Sequence, residues 1–116
     1  MARPRVYVAG PISKGDRYEN IHQAIRVGRY MVRDGLAPMV PHLDHYMFPH
    51  PDDLPWQTAL DWDLAWVEVA EAVFRLPGPF KGADLEVHTA ESLGIPVFTV
   101  YADLIRWAER KEHQCS

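Results

Sequence analysis

Two periodicities take turns along the chain. Short runs of β-branched and apolar residues each give way to a longer stretch with apolar positions three and four apart. Arg5–Ala9 is the first β-rich run, and it stops at Gly10-Pro11; Ile12–Tyr18 is polar loop. From about Asn20 to Asp34, residues Ile21, Ala24, Ile25, Gly28, Met31 and Val32 fall at helical spacing, and Gly35 follows where helices commonly end. Ala37–Val40 reads as a second strand, and Pro41–Leu54 as a loop rich in Pro, His, Asp and aromatic residues. Pro55 suits the entry to a helix over Trp56–Ala70. A third strand, Ala72–Leu76, ends at Pro77-Gly78-Pro79. A helix over Ala83–Leu93 is stopped by Gly94, Val97–Tyr101 is the fourth strand, and Ala102–Lys111 the last helix.

The resulting order is β-α-β-α-β-α-β-α. Such alternation predicts one α/β domain over residues 1–116, a four-stranded parallel sheet with helices on both faces and right-handed crossovers. The expected arrangement is a flavodoxin-like, Rossmann-like three-layer sandwich with strand order 2-1-3-4. In that order the switch point lies between the first and third strands, and ligands bind beyond the carboxyl ends there. The loops that meet at that point are Gly10–Tyr18 and Pro77–Gly82.

Composition narrows the partners. Of 116 residues, 47% are apolar and 24% charged, an ordinary globular balance. Twelve Lys and Arg against sixteen Asp and Glu leave a net charge of −4, and the longest basic run is Arg110-Lys111. A nucleic-acid polymer needs a clustered basic face, so it is not an expected partner. No apolar run approaches the ~20 residues of a membrane span, and no secretory segment follows the start, so a cytoplasmic protein is expected. One cysteine, Cys115, supports neither a disulfide framework nor a cysteine metal site, and it lies too near the end to serve as a nucleophile.

Glu86 is the first residue with chemical promise. In a helix opening near Gly82 or Ala83 it falls within the first turn, where the helix field favours the ionised form that a carboxylate nucleophile needs. Asp84 beside it fits the plainer pattern of acids in first turns. Asp61 and Asp63, two apart, face different sides of their helix. Asp61 reads as solvated, whereas Asp63 lies nearer the stripe of Leu60, Leu64 and Val67 and calls for a hydrogen-bond partner. Ser13-Lys14-Gly15-Asp16-Arg17, between strand and helix, is either a phosphate-holding turn or an ordinary surface loop. His42, His45 and His50 with Asp44 and Asp52 have a loose metal-ligand spacing but no paired helical ligands, so no metal is expected. Tyr46, Phe48 and Trp56 are either a stacking wall for a base or the closure of the core under a long loop. Trp62, Trp66 and Trp107 read as helix packing.

Four segments together, Val6-Tyr7-Val8-Ala9-Gly10-Pro11-Ile12, Asp63-Leu64-Ala65-Trp66, Ala70-Glu71-Ala72-Val73 and Gly82-Ala83-Asp84-Leu85-Glu86-Val87, resemble the nucleoside 2-deoxyribosyltransferase superfamily, including its nucleotide N-hydrolase branch and its short relatives. The resemblance covers about residues 5–101. It implies an enzyme that breaks the N-glycosidic bond through a glutamate nucleophile, matched by Glu86. It also implies a sugar-contacting aspartate, matched by Asp63, and a tyrosine near the reacting centre, matched by Tyr7. The loop after the first strand, Gly10, Pro11, Ile12, Ser13, Lys14 and Gly15, would hold a phosphate, with Gly82 and His42 completing the binding site. No cofactor is implied, and a homodimer is. Two departures stand out: His88 replaces a small glycine two residues after the nucleophile, and the chain ends soon after its last helix where fuller-length members continue.

The expected function is therefore hydrolysis of the N-glycosidic bond of a nucleoside or deoxynucleoside 5′-monophosphate, giving free base and sugar phosphate. Lys14 and Arg17 favour water over a second base as acceptor. The alternatives are base exchange between nucleosides and a nucleotide-binding module without turnover.

Overall fold

Four strands, β1 (Arg5–Ala9), β2 (Ala37–Met39), β3 (Ala72–Arg75) and β4 (Val97–Phe98), form one parallel sheet in the order β2-β1-β3-β4. This is the expected topology, seen in a computed structural model that describes residues 2–50 and 52–114; Cys115 lies outside the described residues. β1 is central, with Val6 level with Pro38 on one side and Ala72 on the other. Strand side chains alternate between faces, and here the alternation sorts the core into two. Val6 and Val8 join Phe74, Leu76, Ala24, Met31 and Leu104 beneath α1 (Arg17–Arg33) and α5 (Tyr101–Gln114). Tyr7 and Ala9 face the opposite way, packing with Val73, Val67, Ala83 and Ala90 beneath α3 (Trp56–Val67) and α4 (Lys81–Ser92). Three layers result, and the one buried polar side chain on β1, that of Tyr7, is directed to the α3–α4 side. No helix among the described residues is long and apolar enough to cross a membrane.

Where boundaries differ from expectation, local hydrogen bonds account for it. α1 starts at Arg17 rather than near Asn20, because the Asp16 carboxylate accepts from the Glu19 amide at 3.1 Å and caps the helix early. The segment after β2 is not plain loop: Pro41–Leu43 makes a 3₁₀ turn that runs into a short helix, α2 (Asp44–Met47). α3 stops at Val67, where the Ala70 amide turns back to the Val67 carbonyl at 3.1 Å and Glu71 N–H bonds to Arg5 O at 2.9 Å, feeding β3. β4 is only two residues long, and α5 opens at Tyr101 and extends to Gln114, beyond the expected Lys111. Trp62 and Trp107 pack as expected, edge-on to Phe48 at 6.0 Å and tilted against Phe98 at 5.8 Å. Trp66 does not, being 45% exposed.

The two loops expected to meet do meet. The Leu76 amide donates to Ala9 O at 2.7 Å, extending the β1–β3 ladder past the end of β3. A Cβ built on Gly10 would lie 2.8 Å from Leu76 Cβ, and one on Gly78, held at φ 113°, would lie 2.8 Å from Pro11 Cγ. Both glycines let the loops close on each other. Gly10→Ala should therefore lose about 1–3 kcal/mol of stability in urea denaturation. A loss below about 0.5 kcal/mol would mean that the loops are not pressed together.

Candidate active site

On α4 the buried residues are Gly82, Ala83, Glu86 and Ala90; on α3 they are Leu60, Asp63 and Val67. Each set is the apolar stripe of an amphipathic helix, and each is interrupted by one carboxylate. Because α3 and α4 lie side by side over the same sheet face, the two acids converge above Tyr7. Glu86 is 4% exposed, Asp63 8% and Tyr7 fully buried. His42, from the 3₁₀ turn, approaches from the β1 side with 1% exposure. Its Nε2 stands 3.1 Å from the Pro11 carbonyl oxygen, which can only accept, so Nε2 carries the proton.

Among the described residues, four buried side-chain atoms have no hydrogen-bond partner: Tyr7 Oη, His42 Nδ1, Asp63 Oδ1 and Glu86 Oε2. Buried polar groups are nearly always paired, and here all the exceptions belong to one cluster. Three of the four residues, His42, Asp63 and Glu86, line one cavity of about 240 Å³, with Phe48, Trp56 and Phe80 among its apolar walls. That is near the lower end of ligand-site volumes, about 300–1,000 Å³, the scale of one small molecule. Wider grooves of about 610 and 490 Å³ occur elsewhere, and neither holds an unpartnered buried polar atom.

Burial dominates the electrostatics. It pushes Glu86 up to about 8, aided by the Asp63 charge and opposed by Tyr7 and Arg75. Burial likewise lifts Asp63 to about 7, aided by the charge of Asp44 and a hydrogen bond with it. Asp44 itself is raised, again chiefly by burial. Tyr7 is held well above the usual range by burial and by the Glu86 and Asp63 charges. Burial lowers His42 to about 4, although the carbonyls of Pro11 and Gly10 pull the other way. These values correct one expectation. Glu86 is the sixth residue of α4, in its second turn, and the first-turn acid is Asp84. The helix terminus does not hold Glu86 ionised; desolvation holds it protonated.

The remaining expected residues divide. Ile12, Ser13 and Gly82 line the cavity, and Pro11 is buried beside it. Lys14 and Gly15 are exposed and do not line it, while Arg17 does, its Nε donating to His45 Nδ1 at 3.1 Å. Phe48 and Trp56 belong to the wall, whereas Tyr46 is 67% exposed and lies outside it. Asp61 is solvated, accepting from Gln57 Nε2 at 2.9 Å. His88 is exposed, on the side of α4 away from the buried stripe, and does not crowd the cavity. No three His, Cys, Asp or Glu side chains among the described residues converge to hold a metal ion.

Two residues escaped the sequence reading of this site. Asp44 attracted notice only for metal spacing, yet it lines the cavity against Asp63. Arg75, the last residue of β3, donates to the carbonyls of Leu76 and, at 2.9 Å, Gly78, and pairs with Asp84 at 3.2 Å. It thus ties the Pro77–Phe80 turn to the start of α4. An arginine at the end of a buried strand, just before Pro-Gly, was the available signal.

Comparisons with known proteins agree with this architecture. The family profile described as "Domain of unknown function (DUF7768)" matches residues 4–100, and the chain belongs to that family. No curated protein matches the sequence. Among solved structures, a 2-deoxyribosyltransferase from the psychrotolerant bacterium Bacillus psychrosaccharolyticus superposes with a TM-score of 0.58 at 20% identity, over 80% of this chain and 69% of that one. A 2-deoxyribosyltransferase from Leishmania mexicana gives 0.59 at 18% identity, over 81% of this chain and 61% of that one. The chain has the fold of these proteins.

The raised carboxyl has a consequence for stability. The protonated form of Glu86 is favoured in the folded state, so its contribution is complete below the unfolded value near 4.5 and is lost as pH rises through about 8. At neutral pH that loss is on the order of 3 kcal/mol. Glu86→Gln, which cannot ionise, should raise the melting temperature, and by more at pH 8 than at pH 5. An equal gain at both values would show that Glu86 is not held protonated by the fold.

Proposed function

We propose, from the premise of a family built on the fold of 2-deoxyribosyltransferases, that this protein cleaves the N-glycosidic bond of a nucleoside and passes the sugar to another base. The observation that carries the reading is the cluster of unpartnered Glu86, Asp63 and Tyr7 groups at a cavity of one-ligand size. Groups left unpaired and strongly perturbed in a cleft are the signature of catalytic positions. Once ionised, the Glu86 carboxylate attacks the anomeric carbon of the sugar. The C1′–N bond breaks, its electron pair stays with the base, and the base takes up a proton on its ring nitrogen. Asp63 holds a sugar hydroxyl, and Tyr7 lies beneath Glu86 and steadies its carboxylate. An acceptor base then attacks the same carbon, loses its own ring proton, and frees Glu86. Phe48, Trp56 and Phe80 offer apolar faces on which a base can stack.

Hydrolysis of a nucleotide is the weaker reading. Its support was a phosphate site formed by Lys14 and Arg17, of which only Arg17 lines the cavity. The start of α1, where a phosphate would seat, already carries the Asp16 carboxylate as its cap and Glu19 in its first turn. The transferase activity of the two proteins that share the fold favours exchange as well.

The test is to incubate the protein with deoxyribonucleosides, ribonucleosides and their 5′-monophosphates, with and without a different free base, and to follow products by chromatography. Exchange is expected with nucleosides, slower with monophosphates, and reduced on the order of 10³-fold or more in Glu86→Ala. Base release that ignores added acceptor and prefers monophosphates would restore hydrolysis. Retention of activity in Glu86→Ala would remove the nucleophile.

A further inference from the structure

Exchange requires that the second half of the reaction reach a base before it reaches water. Once Glu86 holds the sugar, the bond from its oxygen to C1′ breaks, and C1′ joins either a ring nitrogen of a base or the oxygen of water. Either nucleophile gives up one proton to solvent, and Glu86 leaves as carboxylate. The first route makes a new nucleoside, the second a free sugar. Some group at the cavity has to hold a base ready for the first.

The cavity has a closed end and an open one. His42, Leu60, Asp63, Gly82 and Glu86 line it and are buried, whereas Ser13, His50 and Trp56 line it and are exposed. Of these last three, Trp56 alone offers a wide apolar face. It is the first residue of α3 and 50% exposed, and a tryptophan that merely closed the core would not leave half its surface in water. Trp62 and Trp107 each meet another ring, at 6.0 and 5.8 Å. The neighbour of Trp56 is instead a cation: Lys81 Nζ stands 5.5 Å from the centroid of its ring, within the range of a cation–π contact. Lys81 opens α4, does not line the cavity, and takes part in no ion pair among the described residues. Its ammonium therefore braces the ring from outside, across the starts of two helices. Phe80, one residue earlier, does line the cavity, and its ring lies on the start of α4: a Cβ built on Gly82 would be 2.8 Å from Phe80 Cε2.

We propose that Trp56 decides between base and water as acceptor: its indole is the platform on which the acceptor base stacks, and Lys81 is the positioning residue that holds that ring over the cavity mouth. The proposal rests on the exchange reading above. Stacking of a base on an aromatic ring changes its occupancy by roughly 5- to 150-fold. An ammonium over an exposed ring is worth less, roughly 2- to 5-fold. A base on the platform also covers the open end, so the same contact that recruits one acceptor shuts out the other.

The test reads a ratio. With deoxyinosine as donor and adenine as added base, turnover gives deoxyadenosine by exchange and free deoxyribose by hydrolysis. The ratio of the two is internal to each sample and does not depend on how much enzyme is folded. Trp56→Ala should lower exchange relative to hydrolysis on the order of 10-fold. Lys81→Met should lower it roughly 2- to 5-fold, while Lys81→Arg, which keeps the cation, should stay near the wild-type ratio. An unchanged ratio in Trp56→Ala overturns the platform. A ratio unmoved by Lys81→Met, or moved equally by Lys81→Arg, overturns the brace. A second readout needs no turnover: adenine titrated into ¹⁵N-labelled protein should move the indole N–H signal of Trp56, identified by its loss in Trp56→Phe, further than those of Trp62, Trp66 and Trp107. Movement confined to the other three, or none up to the solubility of adenine, overturns base stacking on Trp56. A protein that shows the Trp56 shift but makes neither product overturns the exchange reading and the acceptor role with it, while the stacking site stands.

Discussion

Desolvation of Glu86 is the constraint to which the rest of the site answers. A carboxyl placed on the apolar stripe of α4, between Ala83 and Ala90, has traded water for the underside of a sheet. The groups around it compensate only in part. The Tyr7 hydroxyl lies near it without making a well-formed hydrogen bond, Arg75 is engaged with two carbonyls and Asp84, and Asp63 adds a like charge. A protein selecting only for stability would put alanine or leucine at this position, and the same holds for Asp63 on α3.

The scaffold absorbs this burden through separation of labour between its two faces. Beneath α1 and α5 the core is apolar throughout, with Val6, Val8, Met31, Leu36, Phe74 and Leu104 packed together. Beneath α3 and α4 the core combines three alanines, Ala9, Ala83 and Ala90, with Tyr7, Val67 and Val73, and residues of these two helices line the cavity. The first face supplies cohesion, and the second face holds the polar groups. β1 belongs to both, because its alternating residues point into one core and then the other, and it brings Tyr7 beneath the acids.

Much of this was legible in the chain. Strand order, the meeting of the two loops at the switch point, and the joint placement of Glu86, Asp63 and Tyr7 all follow from alternation, turn residues and a resemblance spread over four segments. What was misread concerns environment. The spacing of Gly82 and Glu86 suggested a helix terminus that stabilises charge, but the helix begins one residue before Gly82, and Phe80 and Lys81 are not residues whose pattern marks that start. The acid's position at helical spacing from Ala83 and Ala90 was equally visible and pointed to burial. Asp44 was out of reach for another reason: it shares the cavity with Asp63, nineteen positions away, and the loop between α2 and α3 carries no periodicity that would place the two on one wall. Lys14, by contrast, carries the right chemistry in the right loop and points to solvent. Local sequence specifies a loop's composition far better than the direction of one flexible side chain.

The bond between His42 and the Pro11 carbonyl joins the 3₁₀ turn to the loop after β1, and so couples two walls of the cavity that are thirty-one residues apart in sequence. Its imidazole gains a proton only near pH 4, far below the range in which Glu86 and Asp63 exchange theirs. The latch is silent where the acids are active. Because Nε2–H donates to Pro11 whether or not Nδ1 is protonated, the cavity can change its charge through Glu86 and Asp63 while the walls that give it its shape stay fastened.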